Sequence, residues 1–294
     1  MHAQALIDGD IVCYRCGAAA DGRHYLVSLN GLEVARFKYK KEADFYVEKS
    51  MESVDAYADV LDLRYTVELR KEPEPVKNAL HNVKTVVTAM MNELGVTQSR
   101  IFLSPTGNSS FRYDLYPEYK ANRKNMEKPY WYDDIRDYLV RKMGAEVCDG
   151  IEADDALGIY QTDKTVICSI DKDLKMIPGW HYNFVTKEKT LVSDIDGWYH
   201  FHQQLLTGDM TDNVKGLYGI GPAKAAAILD CDPSEYTNLV VKEYRKVYGS
   251  LAEAELELTA KLLWIRREHG QDIRLEDEEV GGGISYTWRT VSST

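Results

Sequence analysis

No apolar run in the sequence approaches the roughly 20 residues that a membrane-spanning helix needs, so no membrane partner is expected. Asp8 and Asp10 interrupt the first apolar stretch, which leaves no signal-peptide core and makes a cytoplasmic location the expectation. Cysteines are few and odd in number (five), so no disulfide framework is implied. Cys13 and Cys16 form one C-x-x-C, but no second C-x-x-C and no H-x-x-x-H accompany it. At i, i+3 on a helix, two buried cysteines explain the pair better than half a zinc site or a redox pair does. Gly219-Ile220-Gly221 lacks the G-x-G-x-x-G order and a preceding strand, which excludes a dinucleotide fingerprint. Positive charge is also in deficit, with a net charge of −11. Taken alone, that argues against a nucleic-acid partner. Net charge misleads, however, if many acids gather round metal ions. The bases are themselves clustered, with Lys120, Arg123, Lys124 and Lys128 in one short stretch.

What is present is an alternation of strands and helices. Residues 4–8 read as a buried strand ending at Asp8, and 10–20 as the following helix. Residues 24–38 read as a hairpin turning at Asn30-Gly31, a strong turn signal between β-formers. A helix over 41–50 and a strand over 63–69 complete a small α+β insertion at about 21–72, closed by Pro73-Glu74-Pro75. The spacing predicts a helix over 75–94, a strand at 100–104, a helix over 131–142, and strands at 145–148 and 165–170. An edge hairpin is expected within 181–192, then a helix from Trp198 and two more within 233–268. This alternation predicts an α/β fold with a mostly parallel central sheet flanked by helices. The expected layout is an α/β core over 1–206, a helical region over 207–271, and a mobile Gly/Ser/Thr-rich tail over 272–294.

The acids are not spread evenly. Asp149-Gly150-Ile151-Glu152-Ala153-Asp154-Asp155 precedes an apolar helical run, so Glu152 is expected near the first turn of a helix. Helix-dipole preference accounts for one or two acids there. It does not account for Asp8-Gly9-Asp10 after the first strand, Asp171-Lys172-Asp173 after the run 165–170, or Asp209-Met210-Thr211-Asp212. Ligands of such sheets bind beyond the carboxyl ends of strands, where several of these acids fall. Four acidic clusters meeting unneutralised would repel, and divalent cations with oxygen ligands resolve that. Two such ions suit phosphodiester hydrolysis: they activate water and stabilise the charge on the phosphate and the leaving oxygen. Lys120 and Arg123, at i, i+3 on a helix, would point together at a phosphate. The Gly219-Ile220-Gly221-Pro222 turn with Lys224 reads as a phosphate clamp at a helix start.

Five segments carry a resemblance. They are Asp8-Gly9, Tyr119-Lys120-Ala121-Asn122-Arg123, Gly150-Ile151-Glu152-Ala153-Asp154-Asp155, Ser169-Ile170-Asp171-Lys172-Asp173, and Gly208-Asp209-Met210-Thr211-Asp212 through Gly219, Gly221 and Lys224. In that order and spacing the chain resembles the flap endonuclease / 5′→3′ exonuclease family, most of all its short stand-alone phage enzymes. The resemblance implies a PIN-like core and a two-metal nuclease that cuts duplex or flapped DNA near 5′ ends, in phage DNA replication or degradation. The metals would be magnesium or manganese. Asp8, Glu152, Asp154, Asp155, Asp171, Asp173, Asp209 and Asp212 match its carboxylates. Glu152 and Asp154 would serve one ion, and Asp171, Asp173 and Asp212 the other. Lys120 and Arg123 match the pair that contacts the scissile phosphate, at the base of a short helical arch expected over 113–130. Tyr14 matches an aromatic that stacks on a terminal base, with Arg15 beside it and Lys124 adding charge. Residues 208–229 match a helix–three-turn–helix whose carbonyls hold a potassium ion against DNA. RNA–DNA hybrid is a further substrate, a monomer the expected state, and the host cytoplasm the place if the chain is viral. Many relatives carry an aspartate where this chain has Ser104-Pro105-Thr106, with Asp114 a candidate substitute. That departure keeps open a non-catalytic DNA-end or fork-binding relative. A PIN-type ribonuclease is the third reading, against which the 208–229 segment argues.

Overall fold

The computed structural model describes residues 3–53, 63–124, 126–280 and 283–292. Strand β1 (Gln4–Asp8) leads directly into helix α1 (Gly9–Ala20). Strands β2 (Arg23–Leu29) and β3 (Leu32–Phe37), helix α2 (Lys40–Glu52) and strand β4 (Tyr65–Lys71) follow. Helix α3 (Val76–Leu94) returns the chain to β5 (Gln98–Leu103), the short α4 (Phe111–Leu115) and α5 (Tyr132–Met143). Then come β6 (Glu146–Val147), α6 (Ala153–Tyr160), β7 (Thr165–Cys168), β8 (Gly179–Asn183), β9 (Glu188–Val192) and α7 (Asp194–Thr207). The chain continues through β10 (Gly208–Asp209), β11 (Val214–Lys215), α8 (Pro222–Ile228), α9 (Tyr236–Tyr248), α10 (Ala252–Leu263), β12 (Gln271–Val280) and β13 (Gly283–Ser292). No helix among the described residues is long and apolar enough to cross a membrane.

Two compact units result. One comprises Met1–Val12, Thr85–Glu127 and Arg136–Thr294, and the other Cys13–Lys84 and Lys128–Ile135. The first holds a six-stranded sheet in the order β6-β5-β1-β7-β8-β9, parallel except for the edge strand β9. Ala5, Leu6 and Ile7 are fully buried, as expected of a central strand covered on both faces. The chain leaves β1 towards β5 and β6 on one side, then crosses back to β7 on the other. The order therefore reverses at β1, which opens a crevice at the carboxyl ends of β1 and β7. Gly9 is required here: a Cβ on it would lie 2.6 Å from the Phe102 carbonyl oxygen.

The core of this unit runs without a break from Leu6 and Phe102 through Phe201 and Tyr244 to Trp288. Residues 207–271 therefore share the core of the sheet. The tail expected to be mobile instead forms the antiparallel hairpin β12–β13, with Ile273 and Trp288 buried. Alternate residues Ile273 and Leu275, and Tyr286 and Trp288, supply one apolar face.

The second unit contains a three-stranded antiparallel sheet, β3-β2-β4, with α2 against it. Its hairpin turns at Asn30 (φ 51°) and Gly31 (φ 83°), both left-handed, as a two-residue type I′ turn requires. Cys13 and Cys16 are buried on α1, as the packing reading expects.

The helical arch is not formed as expected. After α4, Tyr116 is extended (φ −145°, ψ 99°) because Pro117 follows it. Among the described residues only a 3-10 turn, Ala121–Arg123, comes next, with Lys120 left-handed at its start (φ 54°). Lys120 and Arg123 therefore do not share an α-helical face. Residue 125, inside the expected arch, lies outside the described residues.

Candidate active site

The site lies in the first unit, at the crevice where the strand order reverses. Asp8 ends β1 and is 2% exposed. It accepts the Ile11 N–H at 3.1 Å and the Ser169 hydroxyl at 2.7 Å. Ser169 in turn accepts the Asp171 N–H at 3.0 Å, and Asp171 accepts the Asp173 N–H at 2.9 Å. One chain of hydrogen bonds thus joins the ends of β1 and β7. Gln204 on α7 donates to Asp173 at 2.7 Å, while the other atom of that amide, Oε1, is buried without a partner. Asp209 is buried in β10 and accepts the Thr211 N–H at 2.9 Å.

The electrostatics show which acids lie near one another. Burial, followed by the charge of Asp10, pushes the Asp8 carboxyl up to about 7. Burial, then Asp8 and Asp171, holds Asp154 well above the usual carboxylate range. Burial, then Asp171 and Asp209, pushes Asp173 up to about 7, and Asp212 adds to it. Each of these three acids is penalised for its charge by neighbours of the same sign.

The opposite wall carries the bases. Lys120 Nζ donates to Glu152 Oε1 and lies 3.5 Å from Asp212 Oδ2. Burial opposes the charge on Lys120, but Glu152 and Asp212 outweigh it and hold the ammonium protonated. Arg123 pairs with Asp212 Oδ1. The Tyr119 hydroxyl stands 2.8 Å from both Glu152 Oε2 and Asp212 Oδ2, so one proton serves two carboxylates. Tyr119 and Ser169 lie in segments that carry the resemblance but had no role assigned to them, and Gln204 offered no signal of its own.

Asp155 departs from its expected role as a metal ligand. It is fully buried, takes Arg112 Nη1 at 2.6 Å and Nη2 at 2.9 Å, and accepts the N–H groups of Glu152 and Arg266 at 3.1 Å each. Burial would raise its carboxyl, but Arg112 more than offsets this and holds it below the usual range. Asp155 therefore anchors α6, and only Glu152 and Asp154 of that segment remain for the crevice. Asp114 is exposed on α4 and is not drawn into this network. Tyr14 and Arg15 are exposed on the part of α1 that belongs to the second unit, where Tyr14 packs 4.9 Å from Tyr132.

Among the described residues, no three His, Cys, Asp or Glu side chains converge closely enough to hold an ion as they stand. The chemistry of the donors nevertheless fits one. All are hard carboxylate oxygens, three carry unfavourable charge, and the Lys120 ammonium already lies between Glu152 and Asp212 as a resident cation.

Away from the acids, α7 and α8 are joined by residues 208–221, whose outermost side chain, Tyr218, is 99% exposed. Gly219 and Gly221 have open space beside their Cα atoms, and Lys224 Nζ reaches back to the Gly219 carbonyl at 3.5 Å. Lys124 is exposed just after the 3-10 turn.

A profile of the 5′-3′ exonuclease N-terminal, resolvase-like domain matches residues 56–197. The chain is similar to proteins of the flap endonuclease / 5′-3′ exonuclease family. It is 32% identical over 133 residues to an exonuclease of Escherichia phage T7, a match covering 41% of this chain and 44% of the phage protein. It is 27% identical over 233 residues to flap endonuclease Xni of a Shewanella species, covering 69% of this chain and 87% of that one. A solved bacteriophage T5 flap endonuclease aligns at 14% identity and a TM-score of 0.49, over 89% of this chain and 99% of that one. The match to the phage T7 exonuclease spans less than half of that relative's length.

Proposed function

We propose that the chain is a metal-dependent 5′→3′ exonuclease with flap endonuclease activity, hydrolysing DNA phosphodiesters near 5′ ends. The observation that carries this is the hydrogen-bond chain Asp8–Ser169–Asp171–Asp173 at the reversal of strand order, with the buried Asp154 near enough to Asp8 and Asp171 to feel their charge. Asp8, Glu152 and Asp154 would hold one divalent ion, magnesium or manganese. Asp171, Asp173 and Asp212 would hold a second, with Asp209 supporting them. Bound there, the two ions would activate a water and neutralise the phosphate, which suits a reaction that leaves a 5′-phosphate.

The chain's own residues do the rest. Lys120 and Arg123 present two fixed positive charges beside the acids, where a scissile phosphate would lie. Tyr119 holds Glu152 and Asp212 at one spacing. The open turn at Gly219 and Gly221, Lys224 and Lys124 would take backbone phosphates without reading bases, with potassium bound by the turn's carbonyls. Tyr14 and Arg15 would meet the terminal base. A monomer acting in the cytoplasm, of the host if the chain is viral, on DNA or RNA–DNA hybrid, completes the reading.

The test is a 5′-labelled flap duplex and a blunt duplex incubated with magnesium, wild type beside Asp173→Ala. Short 5′ products that require metal and vanish in the mutant are expected. Binding of both substrates without cleavage, in magnesium and in manganese, would replace the nuclease with a DNA-end-binding protein.

A further inference from the structure

Ser104 opens the stretch Ser104-Pro105-Thr106, where many members of the resembling family carry an aspartate, and its surroundings give it a different task. It follows β5 and bonds through every polar atom it has. Its hydroxyl oxygen accepts the Ala153 N–H at 3.0 Å. Its own N–H donates to Asp10 Oδ2 at 3.0 Å, and its carbonyl accepts from Arg136 Nη2. Arg136 Nη1 closes the ring at 3.4 Å from Asp10 Oδ1.

These partners come from three elements. Asp10 lies in the first turn of α1, two residues after Asp8, and Arg136 lies on α5. Ala153 is the first residue of α6, between Glu152 and Asp154. The first N–H groups of a helix have no partner inside it. In α6 the Glu152 N–H is taken by Asp155, and the Ala153 N–H by Ser104. The serine thus caps the helix from another strand, at the residue that separates two candidate metal ligands.

We propose that Ser104 is a positioning residue for the metal-binding end of α6, and that Asp10 and Arg136 hold it there. Asp10 grips the serine's N–H and Arg136 its carbonyl, which fixes the backbone from which the hydroxyl reaches the Ala153 N–H. The hydroxyl fixes the helix start that carries two candidate ligands, Glu152 and Asp154. The proposal rests on the metal-dependent reading of the site.

Manganese affinity, measured by electron paramagnetic resonance on the full chain without DNA, tests it. Partners that orient metal ligands typically change affinity by about 10- to 100-fold when removed. Ser104→Ala is expected to weaken manganese binding by about tenfold at unchanged stoichiometry, and to speed hydrogen exchange at the Ala153 amide. Ser104→Thr, which keeps the hydroxyl, is expected to restore both. Circular dichroism establishes that each variant is folded at the temperature used. If wild type binds manganese and Ser104→Ala binds it equally well, the positioning role is overturned and the nuclease reading stands. Weakened binding in Ser104→Ala that threonine does not restore also overturns it. If wild type binds no manganese, the metal reading and this proposal fall together.

Discussion

Arg112 and Asp155 face each other as a bidentate pair, Nη1 to Oδ2 at 2.6 Å and Nη2 to Oδ1 at 2.9 Å, with Asp155 wholly excluded from solvent. The same guanidinium donates to the carbonyls of Leu262 and Trp264 at 2.9 and 2.7 Å. Removing one partner of such a pair leaves an uncompensated buried charge and costs about 3–5 kcal/mol. Arg112→Ala and Asp155→Ala are therefore expected to lower stability by that amount in urea titration. A loss of cleavage in Asp155→Ala would track unfolding, and a fully stable Asp155→Ala would contradict the anchoring role.

Acid–base behaviour separates the crevice acids from Asp155. Asp8 and Asp173 titrate near 7 when folded, against about 3.9 when unfolded. Between those values the folded chain holds protons that the unfolded chain has released, so stability from these groups falls as pH rises from about 4 to about 7. Asp155, held low, acts oppositely: its contribution is present above about pH 3.9 and is lost as pH falls further. In EDTA the melting temperature is expected to be higher at pH 5.5 than at pH 8. Asp8→Asn or Asp173→Asn should flatten that difference, and magnesium at pH 8 should close it. A metal-free melting temperature equal at both pH values would refute the charge frustration of the site.

Lys120 competes with any cation for Glu152 and Asp212. Lys120→Ala is expected to bind manganese more tightly while kcat falls by roughly 10²-fold or more, the scale of losing one transition-state charge partner. Titration calorimetry and single-turnover cleavage measure the two effects. Weaker manganese binding in the mutant would show that Lys120 does not occupy cation space.

The C-terminal hairpin is part of the core. Trp288 packs 5.7 Å from the Phe201 ring, centroid to centroid, and Phe201 packs 5.1 Å from Trp264. Trp288→Ala is expected to cost about 3 kcal/mol, as large aromatic truncations in cores do. Chemical denaturation reads it, and an unchanged midpoint would mean the hairpin is only laid on the surface.

Strand ends were the most legible part of the sequence. Asp8 and the Ser169–Asp173 segment fall at the switch point because buried parallel strands read as short apolar runs with a definite last residue. The Asn30-Gly31 turn was legible because few residue pairs tolerate two left-handed conformations. The hairpin β12–β13 was not, since many charged, Ser and Thr residues mask the alternation of Ile273 with Leu275 and of Tyr286 with Trp288. Asp155 was misread for a different reason. Sequence places three acids together, but which of them faces the crevice depends on Arg112, forty-three positions earlier, and on a helix end beyond residue 260. The arch failed at Pro117, whose effect on Tyr116 outweighs the helical tendency of the residues around it.

The link from Arg112 to Leu262 spans 150 residues of chain, and that to Trp264 spans 152. During synthesis, the helix bearing Glu152 and Asp154 emerges long before the carbonyls that hold its partner arginine exist. Its acids cannot take their final spacing until the last turn of α10 has left the ribosome. A nascent chain already containing β1, α6, β7 and the segment through Asp212 would thus carry all the site's carboxylates and still lack a shaped site. Assembly of the catalytic centre is a late event, tied to completion of the helices far downstream.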